Sequence, residues 1–436
     1  MHTAPHPGGS PQVNRTLLGA FTFLGIFAFL FQSCSAHGQD PDLERARRLL
    51  SRHPVLDGHN DLPWTIRGKT GAIGDLEAYD LGQPTSGDTD LERLRAGGVG
   101  GQFWSVYVPA DLGGGAARRQ LEQIDLARRL IDRYPEDLAL ATTAADVERI
   151  MKEGRIASLL GAEGGHVIED SLGALRAYHA LGVRYMTLTH SATLNWADSS
   201  SGDRRHGGLT LFGEEVVREM NRLGMLVDLS HVSPETMEDA LRVSEAPIIF
   251  SHSSARAVCD HPRNVPDAIL RLLPDNGGVV MITFVASFIS PEWAAVYDPM
   301  RREYKRRIAR VEDSAERKRV LEELKRALPP IRVTLGEVAD HVEHVRRVAG
   351  VDHVGLGGDF DGNDSWPEGL DDVSTYPKLF AELIRRGWSD ADLAGLANGN
   401  ILRAMRQAEE VAARLQLERP ASTATLEALD GPPSEP

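Results

Sequence analysis

The sequence predicts an α/β fold in which eight parallel strands and their helices close into a (β/α)8 TIM-like barrel. Short apolar runs alternate with longer segments of helical periodicity, which is the pattern of βα units around a parallel sheet. The chain has 436 residues, of which 42% are hydrophobic and 25% charged, so it is large enough for one such barrel. His, Asp or Glu residues follow six of the eight predicted strands, and the active site of these barrels lies at the carboxyl ends of the strands.

Residues 1–36 are predicted to form a signal peptide rather than part of the barrel. Arg15 precedes an uncharged apolar stretch at 16–31, and small residues, Cys34 and Ala36 among them, follow that stretch. Cleavage after Ala36 would give a soluble exported protein, cleavage before Cys34 a lipoprotein, and an uncleaved segment a membrane anchor. In each case we expect the catalytic part to be exported, either periplasmic or lipid-anchored at the cell envelope.

Residues 42–412 are predicted to form the barrel, and the apolar runs within them supply its strands. The predicted strands are 53–57, 102–108, 156–162, 184–189, 225–230, 247–251, 279–284 and 353–356. Segments of helical periodicity lie before and between these strands, at 41–51, 116–133, 171–181, 213–223, 234–243 and 335–348.

Two segments depart from this alternation. Residues 291–330 contain a highly charged helical piece, 301–325, which we interpret as an insertion after the seventh strand and as a solvated helix rather than a flap. Residues 418–436 are rich in Pro, Ser, Thr and Ala and are predicted to be disordered.

His341 and His344 are expected to lie on the solvated face of a charged helix.

The composition limits the class of function. The net charge is −15 and the acidic residues are spread along the chain, so we expect no nucleic-acid partner, because such binding needs a basic surface. The only cysteines are Cys34 and Cys259, which excludes a disulfide framework and a zinc site built from thiolates.

The residues after the predicted strands are typical metal ligands. The candidates are His59, Asp61, Glu163, His190, His231, His252 and Asp359. Imidazole and carboxylate ligands without thiolate suit zinc, manganese or cobalt. Even three of these histidines with two of the carboxylates are too many for one tetrahedral ion that keeps an open position, but they suit two ions that share a carboxylate. Such a pair of ions makes hydroxide available near neutral pH, and the sequence has no Gly-x-Ser-x-Gly motif that would supply a serine nucleophile instead.

Six motifs in order resemble those of the membrane dipeptidase (renal dipeptidase) family, and the resemblance spans roughly residues 42 to 410. They are Asp57-Gly-His-Asn-Asp-Leu-Pro-Trp64, Glu163-Gly-Gly-His166, Asp228-Leu-Ser-His-Val-Ser233, Phe250-Ser-His-Ser-Ser-Ala255, Arg263-Asn-Val-Pro-Asp267 and Gly358-Asp-Phe-Asp-Gly362. The resemblance implies a barrel of the metal-dependent hydrolase type and a zinc metallopeptidase that hydrolyses dipeptides by means of a metal-bridging hydroxide.

The same resemblance implies a ligand set for two Zn2+ ions. His59 and Asp61 would bind one ion, His231 and His252 the other, and Glu163 would bridge both. The family's disulfides and glycolipid anchor do not carry over, since this chain has too few cysteines and no apolar C-terminal tail. A homodimer is a further expectation from the family.

Three further residues would act on the substrate. The resemblance makes His190 the residue that binds substrate and steadies the oxyanion, Arg263 the residue that binds the substrate carboxylate, and Asp359 the proton shuttle to the leaving amine. The same site could instead act on N-acyl amino acids or β-lactams, because the metal chemistry does not depend on what flanks the carbonyl. A barrel lipoprotein without catalytic activity is the alternative from another class.

Overall fold

The computed structural model describes residues 40–69, 74–112, 114–311 and 313–431. The predicted signal peptide and residues 432–436 lie outside these ranges. Nine strands form one parallel sheet: β1 Val55–Asn60, β2 Val99–Ser105, β3 Leu138–Leu140, β4 Ile156–Glu163, β5 Val183–Thr187, β6 Leu226–Asp228, β7 Ile249–Ser253, β8 Val279–Ile282 and β9 Val354–Leu356.

The sheet closes into a barrel of eight strands. Neighbours around the ring are β1, β2, β4, β5, β6, β7, β8 and β9, and β9 returns to β1 through the pairing of Leu356 with Asp57. The predicted (β/α)8 TIM-like barrel is therefore confirmed. The extra strand β3 pairs with the first three residues of β4. Further along β4, β5 replaces β3 as the neighbour on the same edge. Its three residues are too few to show any periodicity, and the sequence prediction missed it.

Helices surround this barrel and follow its strands. They are α1 Pro41–Leu50, α2 Leu62–Lys69, α3 Leu91–Ala96, α4 Ala116–Arg133, α5 Ala144–Lys152, α6 Leu172–Ala180, α7 Leu211–Leu223, α8 Pro234–Val243, α9 Asp267–Leu270, α10 Leu273–Asn276, α11 Ala286–Ile289, α12 Pro291–Ile308, α13 Ser314–Arg326, α14 Leu335–Ala349, α15 Tyr376–Arg385, α16 Asp390–Ala394, α17 Asn400–Glu418 and α18 Leu426–Asp430. Of the helices described, none combines the length and the apolar character needed to cross a bilayer.

The barrel interior is built so that large and small residues fit together beneath the carboxyl ends of the strands. Tyr185 of β5 is fully buried there, and a side chain at Gly161 of the neighbouring β4 would collide with its ring. The absence of a Cβ at Gly161 thus lets the Tyr185 hydroxyl reach His59, 2.8 Å from Nδ1. The packing of this layer therefore determines the position of a predicted site residue.

The insertion lies after the seventh strand of the barrel, as predicted, and consists of α12 and α13. The prediction of a merely solvated helix is wrong for α12, because Tyr297 and Arg301 line a cavity above the barrel. Helices α12 and α13 are both fixed to the loop after β9. Asp364 in that loop accepts a hydrogen bond from the Tyr297 hydroxyl of α12 and forms an ion pair at 2.7 Å with Lys325 of α13. Charge alone did not distinguish a wall of the cavity from a solvated helix.

The predicted disorder from residue 418 onward is wrong for residues 419–431. Helix α18 packs there with Leu426 buried, and the carboxylate of Asp430 accepts hydrogen bonds from the backbone of Leu211 and Phe212 at 3.0 and 3.1 Å. An acidic side chain at the start of α7 satisfies N–H groups that have no partner within the helix. This partner lies some 220 residues away in the sequence, so composition could not reveal it.

Candidate active site

All eight predicted site residues meet at the carboxyl end of the barrel, around one cavity of about 660 Å³. Seven of them line the cavity, and His59 lies fully buried at its base. Three of the strands extend beyond their predicted ends: His59 lies within β1, Glu163 is the last residue of β4, and His252 lies within β7. Regular strand structure therefore holds these three side chains, and the remaining ones come from the loops that follow.

Glu163 lies at the centre of the cluster, and its two oxygens face different histidines. Oε1 is 3.0 Å from Nε2 of His231 and 3.6 Å from Nε2 of both His252 and His190. Oε2 is 3.4 Å from Nε2 of His59 and accepts a hydrogen bond from the Ser105 hydroxyl at 3.1 Å. A carboxylate with imidazoles on both sides is placed to be shared between two ions.

The residues around His59 fit a metal ion. Nε2 of His59 is 3.3 Å from Oδ2 of Asp61 and 3.9 Å from Oδ1 of Asp359, and these three residues can offer ligand atoms within 4.8 Å of one another. Nε2 of His59 and Oδ1 of Asp61 are both buried without a hydrogen-bond partner among the described residues. Buried polar atoms are normally satisfied, so atoms left facing one another are expected where a cation belongs.

His252 is held in the form that binds metal. Its Nδ1 is 2.7 Å from the Ser251 hydroxyl, which in turn donates to Oδ2 of Asp228 at 2.6 Å. Because the hydroxyl proton goes to Asp228, Nδ1 of His252 must be the donor to Ser251, and Nε2 is left without a proton. Asp228 is fixed by further hydrogen bonds from the backbone of Ser230 and Ser251. Such partners behind a ligand set its orientation and affinity.

The charges of the cluster favour the same protonation states. Burial, together with the nearby positive charge of Arg263, holds the pKa of His231 and His252 well below the ordinary histidine value. Burial opposes the charged form of Glu163, but His59, His231 and neighbouring His190 outweigh it and hold its pKa well below the usual range. Neutral imidazoles at His231 and His252 beside the ionised Glu163 are what a divalent ion requires. Burial opposes the charged form of His59, but Tyr185, Glu163 and Asp61 outweigh it and raise the pKa of His59 well above its ordinary value.

Asp359 differs from the other carboxylates. Burial, with the negative charges of Asp61 and Glu163 adding to it, raises the pKa of Asp359 well above its ordinary value, although His59 counteracts this. Asp359 also adopts a left-handed backbone conformation, with φ of 66°. A side chain at the neighbouring Gly362 would collide with the carboxylates of both Asp61 and Asp359. The loop is thus shaped to present a carboxyl group that can carry a proton into the cavity.

Arg263 is a buried cation that forms no ion pair with any acidic residue the structure describes. Its side chain lies over the ring of Phe288 at 5.2 Å and donates to the carbonyl of His252 at 3.2 Å and to the Ser253 hydroxyl at 3.4 Å. Burial lowers its pKa to about 10, so it remains protonated at neutral pH. Since no ion pair of Arg263 occurs within the described part of the chain, the group is available for an anion in the cavity.

Two buried carboxylates behind the candidate ligands, Asp57 and Asp228, were missed by sequence reasoning. Asp57 accepts hydrogen bonds from the backbone of His59 at 3.0 Å and Gly358 at 2.7 Å, and from the Tyr376 hydroxyl at 2.6 Å. It thereby joins the strand that carries His59 to the loop that carries Asp359. Asp228, the second, orients His252. A charged residue inside an apolar strand, just before a ligand histidine, was the available signal for both.

His341 and His344 were predicted to be solvated, and this prediction is wrong. His341 is fully buried, accepts a hydrogen bond from the backbone of Ala255 at 3.0 Å and donates one to the carbonyl of Ile289. His344 pairs with Asp267 at 2.7 Å. The charged residues on the remaining faces of α14 obscured a buried face.

A closed parallel barrel with clustered His, Asp and Glu residues at the carboxyl ends of its strands defines the class of metal-dependent hydrolases. The model of the membrane dipeptidase family, Peptidase family M19, matches residues 43–419. Dipeptidase 3 of Mus musculus and its counterpart in Rattus norvegicus are each 43% identical over 379 residues, which cover 85% of this chain and 68% and 69% of those proteins.

Solved structures show the same relationship. The probable dipeptidase PvdM from Pseudomonas aeruginosa superimposes with a TM-score of 0.73 at 26% identity, covering 85% of this chain and 99% of that one. A metallo peptidase from Rhodobacter sphaeroides, liganded with a phosphinate mimic of the dipeptide L-Ala-D-Ala, gives a TM-score of 0.65 at 25% identity, covering 81% and 99%. The chain belongs to the membrane dipeptidase family and is a metallodipeptidase by enzyme class.

Proposed function

We propose that the protein is an exported dipeptidase that works with two zinc ions. His59 and Asp61 would hold one ion, His231 and His252 the other, and Glu163 would be shared. The observation that carries this proposal is the position of Glu163, whose Oε2 faces His59 while its Oε1 faces His231 and His252. Two zinc ions bound there would supply an activated water as nucleophile and a Lewis acid for the peptide carbonyl.

His190 is proposed to stabilise the oxyanion. Its side chain lines the cavity with 17% of its surface exposed, and its Nε2 is 3.6 Å from Oε1 of Glu163. Burial lowers the pKa of His190, so the ring is neutral and keeps one N–H group for donation. A fixed donor where negative charge develops stabilises the transition state without reorganisation.

Asp359 is proposed to move the proton. A carboxyl group whose pKa lies well above the usual range can take a proton from the attacking water and release it to the departing amine, which is general acid–base catalysis. Its side chain is 13% exposed at the cavity, 3.9 Å from Nε2 of His59. Asp359 therefore lies beside the ligand atoms where the reaction would start.

Arg263 is proposed to bind the carboxylate of the substrate. A buried guanidinium that forms no ion pair of its own offers planar, charge-assisted hydrogen bonds to that group. Binding the free carboxylate at a fixed distance from the ligand cluster would limit the substrate to a short peptide. This accounts for a dipeptidase rather than a general peptidase.

The test uses the mature protein stripped of metal and then reconstituted with zinc. We expect the metal-free protein to be inactive and zinc to restore hydrolysis of L-Ala-L-Ala and L-Ala-D-Ala. A panel with N-acetyl-alanine and a β-lactam separates a dipeptidase from an enzyme acting on other amides. Reconstituted protein that leaves every dipeptide intact would refute the proposal.

Export, attachment to the membrane through the N-terminus and a homodimer belong to the same proposal. The apolar stretch at 16–31 after Arg15 supports export. Cell fractionation and the mass of the mature N-terminus test the first two points, and native mass spectrometry tests the third. Activity found only in the cytoplasm, on a chain with its N-terminus intact, would contradict export.

A further inference from the structure

One face of α12 forms a wall of the active-site cavity. Tyr297, Asp298, Arg301 and Lys305 all line the cavity, and their spacing places them on the same side of the helix. The helix is fixed in this position, because the Tyr297 hydroxyl donates to Asp364 in the loop that follows Asp359. The insertion therefore contributes side chains to the site.

The two basic residues of this wall form no ion pair within the part of the chain that the structure describes. Arg306, outside the cavity on the same helix, pairs with Glu303 at 2.8 Å, and Arg307 pairs with Glu323 at 3.1 Å. No ion pair of Arg301 or Lys305 occurs among the residues that the structure describes. The guanidinium of Arg301 lies 5.8 Å from the Tyr304 ring, and its charge also acts on Asp364, which is ion-paired with Lys325. Among the described residues, Arg301 and Lys305 therefore face the cavity without an ion pair, while Arg306 and Arg307 each have one.

A chain of contacts joins this wall to Arg263. The guanidinium of Arg263 lies 5.2 Å from the Phe288 ring, and His261 stacks on the same ring at 4.4 Å. His261 is in turn 3.3 Å from Asp298, three residues before Arg301 on α12. The unpaired basic residues therefore belong to the side of the cavity where Arg263 lies, which is where the C-terminal residue of a substrate would bind.

The acidic groups of the cavity form no ion pair with Arg301 or Lys305 among the described residues. Asp298 is paired with His261, and Asp61 and Glu163 are directed at the ligand cluster. Asp361 accepts a hydrogen bond from the backbone of Asp88 at 3.1 Å. Asp111, on the loop after β2, also lines the cavity and is exposed to solvent, where water screens its charge.

Building on the proposed dipeptidase function, we propose that Arg301 and Lys305 select dipeptides whose C-terminal residue carries an acidic side chain, Asp or Glu. Arg263 would hold the α-carboxylate, and the α12 pair would hold the second carboxylate. Because Lys305 is exposed and Arg301 half-buried, each pair is partly screened. We expect a preference of about tenfold in kcat/KM for the acidic side chain over its amide.

The experiment compares Ala-Asp with Ala-Asn, each in L,L and L,D forms, on the zinc-loaded enzyme and on Arg301→Gln, Lys305→Gln and the double variant. We expect the wild type to prefer Ala-Asp and the double variant to lose that preference, so that the ratio of kcat/KM for Ala-Asp to kcat/KM for Ala-Asn falls toward one. Asp-Ala carries its acidic side chain on the N-terminal residue. The ratio of kcat/KM for Asp-Ala to kcat/KM for Asn-Ala should therefore be the same in the wild type and in every variant. The Ala-Asp preference should also fall with rising ionic strength.

Arg302→Gln provides the matched control, because Arg302 is exposed on the same helix and does not line the cavity. It should keep the wild-type preference. Any of three results would overturn the inference. The wild type could show no preference for Ala-Asp, the double variant could keep that preference, or the double variant could lose kcat/KM equally on Ala-Asp and Ala-Asn. Hydrolysis of Ala-Asn in those cases would leave the dipeptidase function intact, so failure of the two proposals can be told apart.

Discussion

The hydrogen-bond chain behind His252 predicts that a buried hydroxyl group controls metal affinity. In Ser251→Ala, Nδ1 of His252 loses a partner at 2.7 Å, and Asp228 loses a donor at 2.6 Å. The imidazole can then carry its proton on Nε2, the atom that faces Glu163 at 3.6 Å. A protonated Nε2 cannot bind a metal ion, so the substitution should weaken the ion held by His231 and His252.

The size of the effect follows from the burial of the three groups. Ser251 and Asp228 are fully buried and His252 is 1% exposed, so water cannot replace the lost hydroxyl. Leaving a buried donor unsatisfied costs about 1–3 kcal/mol, and loss of such a partner behind a ligand typically weakens metal binding 10- to 100-fold. We therefore expect the zinc dissociation constant of Ser251→Ala to rise by roughly 10- to 100-fold.

The assay is a competition of the metal-free enzyme with a zinc chelator of known affinity. At saturating zinc the variant should regain most of its kcat, because no group that touches the substrate has changed. Ser158→Ala is the control, since Ser158 is equally buried and its hydroxyl donates, among the described residues, to the Ile156 carbonyl alone, at 3.4 Å. A zinc affinity of Ser251→Ala within threefold of the wild-type value would show that the Ser251 hydroxyl does not control metal binding through His252.

Three further outcomes are expected. Asp359→Asn should lower kcat by about 10²- to 10⁴-fold with zinc content unchanged by elemental analysis; loss of the zinc instead would make Asp359 a ligand. Arg263→Gln should lower kcat/KM for dipeptides about 10- to 100-fold, by loss of a charge-assisted hydrogen bond, but should leave dipeptide amides unaffected; equal losses on both would exclude carboxylate binding. Burial lowers the pKa of His341 to about 4 in the folded protein, whereas a histidine in the unfolded chain titrates near 6.5. Between these two values the unfolded chain binds the proton more readily. The free energy of unfolding should therefore fall by about 3 kcal/mol as the pH drops from about 6.5 to 4. His341→Gln should flatten this dependence in urea unfolding, and an unchanged pH profile would contradict it.

The clustering of the candidate metal ligands could be predicted from sequence because barrel geometry converts chain position into spatial position. Residues such as His59 and His252 are almost 200 positions apart, yet both belong to the carboxyl ends of strands and therefore meet. The exact strand ends could not be predicted. The apolar run before His59 stops at Leu56, whereas β1 continues through polar Asp57 and Asn60, which are buried against the loops above the barrel.

The supporting groups could not be predicted because their partners are distant in sequence and are specified only by packing. Asp57 contacts Gly358 and Tyr376, some 300 residues further along the chain. His341 bridges Ala255, in the loop after β7, and Ile289, the last residue of α11. A single sequence shows that a polar residue lies in an apolar segment, but it does not show which group satisfies that residue.

The wall formed by α12 shows the same limit for specificity. Charge and helical periodicity identified a helix within the insertion, but only the folded chain shows that Arg301 faces the cavity and Arg306 does not. Substrate choice depends on such differences between neighbouring positions of one helix. The chemistry of the site, by contrast, depends on residue types at strand ends, which the sequence displays directly.

The central claim is that Glu163 is shared by two zinc ions. Its most direct test is a titration of the metal-free mature enzyme with zinc, followed by elemental analysis and hydrolysis of L-Ala-D-Ala on the same samples. We expect each chain to bind two ions and activity to require both. We expect Glu163→Gln to lose tight binding of the two ions. Full activity with a single ion per chain, or two ions bound equally well by Glu163→Gln, would contradict it.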